Sequence, residues 1–261
     1  SMAVGGGGRV VAVQHSDPRE VMGVNNRVEL AGANGVMRER INRGHMMRGV
    51  TMVDPRSAYI DCGVSIGRDT TIYPNVFLEG ESSIGTGCTI EEGCKIVDSS
   101  LAGGVTVKSN SLLEQSKIGR EAVIGPLAHL RPGSTLAARA KVGNFVEIKN
   151  ANIGVGSKIN HLSYMGDADI GKGVNVGAGT ITCNYDGRKK YRTTIRDGAF
   201  IGSDTQLVAP VTVGKDAYVG SGATITRDVP PRSLALSRTE QKNIEGWVEK
   251  RMGRTGGKKK G

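Results

Sequence analysis

His161 is one of four histidines in the chain. It stands in the stretch Val142–Tyr185 (VGNFVEIKNANIGVGSKINHLSYMGDADIGKGVNVGAGTITCNY), together with Glu147, Lys149, Tyr164 and Asn175. Imidazole is the side chain that exchanges a proton near neutral pH without a special environment. Arg131 precedes Lys149 by 18 residues. A guanidinium and an ammonium presented together suit a phosphate dianion. A neutral His beside them suits removal of a proton from a bound substrate. The question is which element could bring these residues to one place.

The spacing of the aliphatic residues answers it. They recur at Val142, Ile148, Ile153, Ile159, Met165, Ile170 and Val176, in steps of six, five, six, six, five and six. An amphipathic helix repeats every 3.6 residues and a half-buried strand every two, so neither fits. A hexapeptide repeat fits, and that period marks parallel β-helices. The same beat runs from Ile60 to Leu136 and resumes from Ile195 to Ile225. Each hexad reads as one short strand and a corner, and three hexads close a triangular coil of about 18 residues. The leading aliphatic residues point into the coil, and every backbone group pairs with the coil above and below. The segment Thr182–Thr194 (TCNYDGRKKYRTT) breaks the beat and reads as a loop extruded from the coil. Asn25 to about Arg48 reads as a helix, and Arg238–Met252 as a second one holding the single tryptophan, Trp247.

Composition agrees with a repetitive coil. Glycine is abundant at 39 residues and aromatic residues make up only 4%, which suits glycine-rich corners better than a conventional aromatic core. No run of 18 apolar residues reads as a membrane span. The N-terminus SMAVGGGG lacks the apolar segment of a secretory signal, so the sequence predicts a cytoplasmic chain with reduced thiols. Cys88 and Cys94 fall where the repeat wants a small residue and read as packing. The net charge of +10 raises nucleic acid as a partner. However, aromatic residues do not interleave with the basic ones as a single-strand binder requires, and small acidic substrates suit the charge better.

The register of such a coil places residues one turn apart in stacked columns about 4.8 Å apart. Arg131 and Lys149 each directly follow a leader and should stack outward, with Gly166 next in the column leaving room. His129, Glu147 and Tyr164 should form the neighbouring column, with His161 at the adjoining corner. Stacked like charges are unfavourable unless an anion lies between them. Solvated surface charge is the plainer reading of any one of these residues, and their convergence is what favours a site. A second column joins His161, Ala178, Ser203 and Ser221, each two after a leader. Its small residues would leave backbone amides open along an edge to an extended ligand.

The motifs LRPG (Leu130–Gly133), VGNFVEIKN (Val142–Asn150), HLSYMGDADIG (His161–Gly171), VGAGTITCNYDG (Val176–Gly187) and GSDTQLVAPV (Gly202–Val211) carry a resemblance. Over roughly residues 17–250 the chain resembles the acetyltransferase half of the bacterial bifunctional glucosamine-1-phosphate N-acetyltransferase/N-acetylglucosamine-1-phosphate uridyltransferase family. The resemblance implies an all-β fold, a left-handed parallel β-helix with an N-terminal connecting helix and a C-terminal helix and tail; the handedness comes from the resemblance and not from the pattern. It implies acetyl transfer from acetyl-CoA to glucosamine 1-phosphate, a step of UDP-N-acetylglucosamine synthesis that feeds peptidoglycan and lipopolysaccharide. His161 would be the general base, with Glu147 a carboxylate near it. Arg131, Lys149, Tyr164, Asn175 and Lys190 would hold the sugar phosphate, and Asn184 and Tyr185 would line the site. Ala178, Ser203, Ser221 and Arg238 would contact acetyl-CoA. The working unit would be a homotrimer with shared sites, the extruded loop and the tail reaching a neighbour.

The family's nucleotide-binding half has no counterpart here. Residues 1–19 read as an expression scar and flexible remnant, 20–50 as the connecting helix, 51–230 as the β-helix and 231–261 as the C-terminal helix and basic tail. Asn25 matches a Mg²⁺-binding position of the absent half, so uridyl transfer and its Mg²⁺ are not expected. Two other readings compete. A γ-type carbonic anhydrase needs three imidazoles on zinc, and only His129 and His161 lie within the coils. A non-catalytic scaffold or anion-binding module would bind sugar phosphate without transferring acetyl.

Overall fold

The computed structural model describes residues 11, 14–237 and 240–252. Among these, thirty strands of two to four residues wind into three all-parallel sheets of 11, 10 and 9 strands. Successive strands pass from one sheet to the next, so each pairs with the strand one coil later. The three sheets are the faces of a prism: the first runs from Thr51–Met52 to Leu234–Ala235, the second from Tyr59–Ile60 to Thr224–Ile225, the third from Ser65–Ile66 to Val211–Val213. In the middle of the prism the step per coil is 17 or 18 residues, as in Leu113↔Leu130, Leu130↔Ile148 and Ile148↔Met165. The all-β parallel β-helix expected from the hexads is the fold.

The two-residue strands follow from the hexad. Its leading aliphatic residue is buried, the residue before it faces outward, and the chain must then turn. Ile72, Leu78, Ile90, Ile96, Leu130, Ile148 and Ile159 are completely enclosed. Each such side chain contributes roughly 1.5–3 kcal/mol on burial. The described core contains no aromatic residue, because the triangular interior accepts only side chains of aliphatic size. Thr70, Ser82, Ser134 and Thr205 occupy buried corner positions, where their hydroxyls donate to carbonyls of the corners. Cys88 and Cys94 fill equivalent positions with their thiols against the Ala102 and Lys108 carbonyls. Burial pushes the Cys94 thiol up to about 11, so both cysteines serve as packing.

Three departures from the sequence reading stand out. The N-terminal helix is Arg27–Met47, starting two residues later than expected; Asn26 caps it by accepting from the Glu29 amide at 2.9 Å. Asn25 is part of the same cap, since Glu29 accepts from its backbone N–H at 2.6 Å and its side-chain amide at 3.2 Å. Asn42 docks this helix on the first coil by donating to the Pro55 and Ala58 carbonyls. At the other end the helix is only Trp247–Met252. Residues 240–246, expected within it, are not helical, and before them Leu234–Ala235 adds a last strand to the first face, because the Val219 coil below offers it an unpaired edge. Finally, the extruded loop is narrower than Thr182–Thr194. Thr182 and Cys183 pair with Leu207 and Val208, and Thr193 and Thr194 pair with Val211 and Thr212. Only Asn184–Arg192 leaves the coil, as a hairpin closed by a Tyr185↔Lys190 bridge. The register survives it, since Val176 pairs directly with Ile201.

Candidate active site

His161 is the last residue of the strand Lys158–His161 on the first face, and Tyr164–Gly166 opens the second face. Between them Leu162 takes a left-handed conformation with φ 49, and the Ser163 hydroxyl donates to the His161 carbonyl at 2.8 Å. This sharp corner leaves the imidazole exposed. One coil below, Asn144 is the cross-strand partner of His161. Its Oδ1 lies 2.6 Å from His161 Nδ1. The coils approach so closely here that a Cβ on Gly143 would meet the Asn160 carbonyl oxygen at 1.9 Å. Glycine at 143 is therefore what allows Asn144 and His161 to come together.

The second face carries the stacked columns expected from the spacing. His129, Glu147 and Tyr164 are in register, and Lys149 is in register with Gly166. The Arg131 amide bonds to the Ile148 carbonyl, which sets Arg131 one coil below Lys149. Two details differ from the sequence reading. Glu147 was expected near the base, but its Oε1 accepts from Arg131 Nη1 at 2.8 Å, while His161 is held from the first face by Asn144. The space above Gly166 is also filled: a Cβ there would lie 2.3 Å from the Tyr164 hydroxyl oxygen. The Tyr164 phenol thus folds over Gly166 and brings its hydroxyl into the cation column, directly after Lys149.

The hairpin adds a further cation. Lys190 sits against Lys149 and, with a smaller contribution from Arg131, pushes the Lys149 ammonium below the usual lysine value. Lys190 was expected to reach a neighbouring copy; in this chain it lies beside its own Lys149. Asn184 was expected to line the site, but it is buried and donates to Asp167 at 2.5 Å. Asn150 donates to the other oxygen of the same carboxylate, also at 2.5 Å. Tyr185 is exposed, and its hydroxyl donates to the Gly187 carbonyl at 2.7 Å, within the hairpin. Arg192 closes the hairpin against the third face with Nε and Nη2 on the two oxygens of Asp169, at 2.5 and 2.7 Å.

Asn175 lies on the first face, in register with Lys158 and Phe200. It is three residues before the Ala178 corner, or about 10 Å along the strand, so one chain does not stack it with Arg131, Lys149 and Tyr164. Ala178, Ser203 and Ser221 follow from the registers Val176↔Ile201 and Ile201↔Val219 as one edge above His161. The backbone agrees, since the Asp204 amide donates to the Ala178 carbonyl and the Gly222 amide to the Ser203 carbonyl. Ser203 and Ser221 are exposed along that edge. Arg238 lies outside the described residues. Among the described residues no group of three His, Cys, Asp or Glu side chains is placed to hold a metal ion; His129 Nε2 instead pairs with Glu114 at 2.9 Å. No described helix is long and apolar enough to cross a membrane. Asn144 and Asp167 were missed from the sequence. Asn144 could have been found, since it precedes His161 by 17 residues, one coil.

Three parallel sheets wound from hexads define a hexapeptide-repeat β-helix, with an exposed His at a corner and cations on the adjoining face. A family model described as "Bacterial transferase hexapeptide (six repeats)" matches residues 192–227, and one described as "GMPPB C-terminal domain" matches residues 51–138. The relative "Bifunctional protein GlmU" from Trichlorobacter lovleyi is 53% identical over 240 residues, 92% of this chain and 52% of that protein. The protein of the same name from Geotalea uraniireducens is 52% identical over 236 residues, 90% of this chain and 52% of that protein. The chain spans about half the length of the curated relatives it matches. Among solved structures, Arabidopsis UDP-N-acetylglucosamine acyltransferase is similar at 17% identity, covering 78% of this chain and 76% of that one, with a TM-score of 0.46. The resemblance to the bifunctional family read from the motifs is borne out, over the part of those proteins that this chain matches.

Proposed function

We propose that the chain transfers the acetyl group of acetyl-CoA to the 2-amine of glucosamine 1-phosphate. The observation that carries this reading is the cation cluster of Lys149, Lys190 and Arg131, one corner away from the exposed imidazole of His161. Lys149 and Lys190, pressed together, are relieved by a dianion. The Tyr164 hydroxyl beside them can donate to the same phosphate. The amine arrives largely as an ammonium. His161 Nε2 removes one proton, and the freed lone pair forms the C–N bond to the thioester carbonyl. The C–S bond then breaks, the second amine proton is lost, and the departing thiolate is protonated. His161 is the group placed to move these protons. The edge of Ala178, Ser203 and Ser221 would take the extended pantetheine arm, and Arg238 would add a charge for its phosphates. Holding the two substrates in line supplies much of the remaining rate. A homotrimer is part of this proposal, with a neighbour's first face supplying Asn175; light scattering that shows a monomer would remove it.

Thiol release from acetyl-CoA in the presence of glucosamine 1-phosphate tests the reaction. The chain should release thiol in step with N-acetylation, and His161→Ala should lower turnover by roughly 10²–10⁴-fold, the usual worth of a general base. Binding of the sugar phosphate without any transfer would establish the anion-binding scaffold instead.

A further inference from the structure

We infer that Asn144, and not a carboxylate, is the residue that sets the tautomer and direction of the His161 ring. This inference rests on the proposed role of His161 as base, and it adds a positioning residue to that site.

A base is effective when the ring nitrogen away from the substrate is held by a third group. In this molecule that group is a neutral amide. Asn144 Oδ1 stands 2.6 Å from His161 Nδ1. An amide oxygen only accepts, so Nδ1 carries the proton and Nε2 keeps its lone pair. The pair is built into the coil in three ways. Asn144 and His161 are cross-strand partners. The Leu162 amide donates to the Asn144 carbonyl at 3.1 Å, fixing the corner that follows His161. Gly143 lets the two strands approach where a Cβ would collide with the Asn160 carbonyl.

The alternative orienter is accounted for elsewhere. Glu147 lies on the next face and its carboxylate accepts from Arg131. A neutral orienter has a chemical consequence. A carboxylate on Nδ1 stabilises the imidazolium and raises its pKa, which leaves less neutral base at neutral pH. An amide fixes the same tautomer without adding that charge.

The inference is tested on the full chain by nitrogen NMR of the histidine rings, with His161→Gln used to assign the His161 signals. At a pH where the ring is neutral, His161 should show a protonated Nδ1 and an unprotonated Nε2. Asn144→Ala should convert it to a mixture of tautomers. In the acetyl-transfer assay Asn144→Ala should lower kcat roughly 10–100-fold, the size of loss seen when outer partners of metal-binding histidines are removed, with KM for glucosamine 1-phosphate little changed. Asn144→Asp should recover part of kcat and move the acid limb of the pH–rate profile to higher pH. An unprotonated Nδ1 in the unaltered chain would overturn the inference, as would an unchanged tautomer in Asn144→Ala or an unmoved acid limb in Asn144→Asp. If the unaltered chain transfers no acetyl at all, the proposed reaction fails, while the tautomer measurement still decides the role of Asn144.

Discussion

The hairpin Asn184–Arg192 meets the prism at two places with opposite electrostatics. At its far end Arg192 lays its guanidinium on Asp169, and the Asn152 amide completes that carboxylate's partners. The Arg192 guanidinium and the Asp169 carboxylate are matched to each other. Near its tip, Lys190 is pressed against Lys149, with Arg131 one coil below. Arg131 has Glu147, whereas among the described residues neither lysine forms a salt bridge, and Asp167 only partly offsets the crowding at Lys149. Both contacts are made by the same hairpin, so the fold could have used a carboxylate at either. The difference separates a fastening from a receptor. A matched pair stabilises the chain by itself, whereas a surplus of cations costs energy until an anion arrives.

Breaking the unmatched cluster should have the larger effect. Lys149→Ala should raise KM for glucosamine 1-phosphate about 10–100-fold, the range for one lost charge-assisted contact, with a smaller change in kcat. Arg131→Ala should raise it less, because Glu147 already holds part of that guanidinium. Steady-state kinetics with the sugar phosphate varied will show this. Unchanged KM in both variants would place the phosphate elsewhere.

The comparison also shows what a sequence can and cannot reveal in this fold. Register is a matter of counting, so the columns of Arg131 with Lys149 and of His129, Glu147 and Tyr164 were legible from spacing alone. So was the edge from His161 to Ser221, because the hairpin leaves the coil and returns without shifting the pairing. Side-chain choices within a column were not legible. Glu147 has Arg131 and the space of the second face within reach, and counting cannot say which it takes. Gly166 reads as an open position, yet the ring two residues earlier folds over it. Asn184 carries a motif residue's promise of ligand contact but is buried on Asp167. The C-terminal helix is shorter than its expected span of Arg238–Met252, since residues 240–246 are not helical, and the strand Leu234–Ala235 on the open edge at Tyr218–Val219 had no hexad signal of its own.

Glu147→Gln sharpens the contrast from the other side. It should release the Arg131 guanidinium, add to the surplus charge and lower KM for the sugar phosphate a few-fold. It should leave kcat near its starting value, because the carboxylate is paired away from His161. A loss of kcat as large as that of His161→Ala would return Glu147 to the chemistry.

A pH titration reads the crowding of the lysines directly. Lys149 is held below the ordinary 10.5 first by Lys190 and then by Arg131. The ammonium is the form that binds phosphate, so KM for the sugar phosphate should rise as pH climbs through this lowered value. Lys190→Met removes the first cause, and the alkaline limb should move to higher pH. The sign for stability is opposite to that of a partnered lysine. The like-charge penalty is fully present below the folded pKa, and stability improves as pH rises from there towards 10.5. A limb that does not move in Lys190→Met would show that the two amines are not in contact in solution.

The smallest effect belongs to the matched end. Asp169 is held below its ordinary 3.8 first by Arg192, with Asn152 and Arg196 adding to it. Its contribution to stability is therefore present above 3.8 and is lost as pH falls through the lowered folded value. Both side chains are substantially exposed, at 39% and 43%, so solvent screens the pair and its removal should cost under about 1 kcal/mol. Arg192→Ala should lower the denaturation midpoint slightly at neutral pH and flatten the loss of stability on the acid side. It should leave KM for glucosamine 1-phosphate near its starting value, because Asn184 on Asp167 and the Tyr185–Lys190 bridge still root the hairpin. Chemical denaturation at several pH values, run beside the kinetics, measures both. A KM that rises as steeply as in Lys149→Ala would mean that Lys190 depends on the Arg192 fastening for its place, and that the two ends of the hairpin form one device.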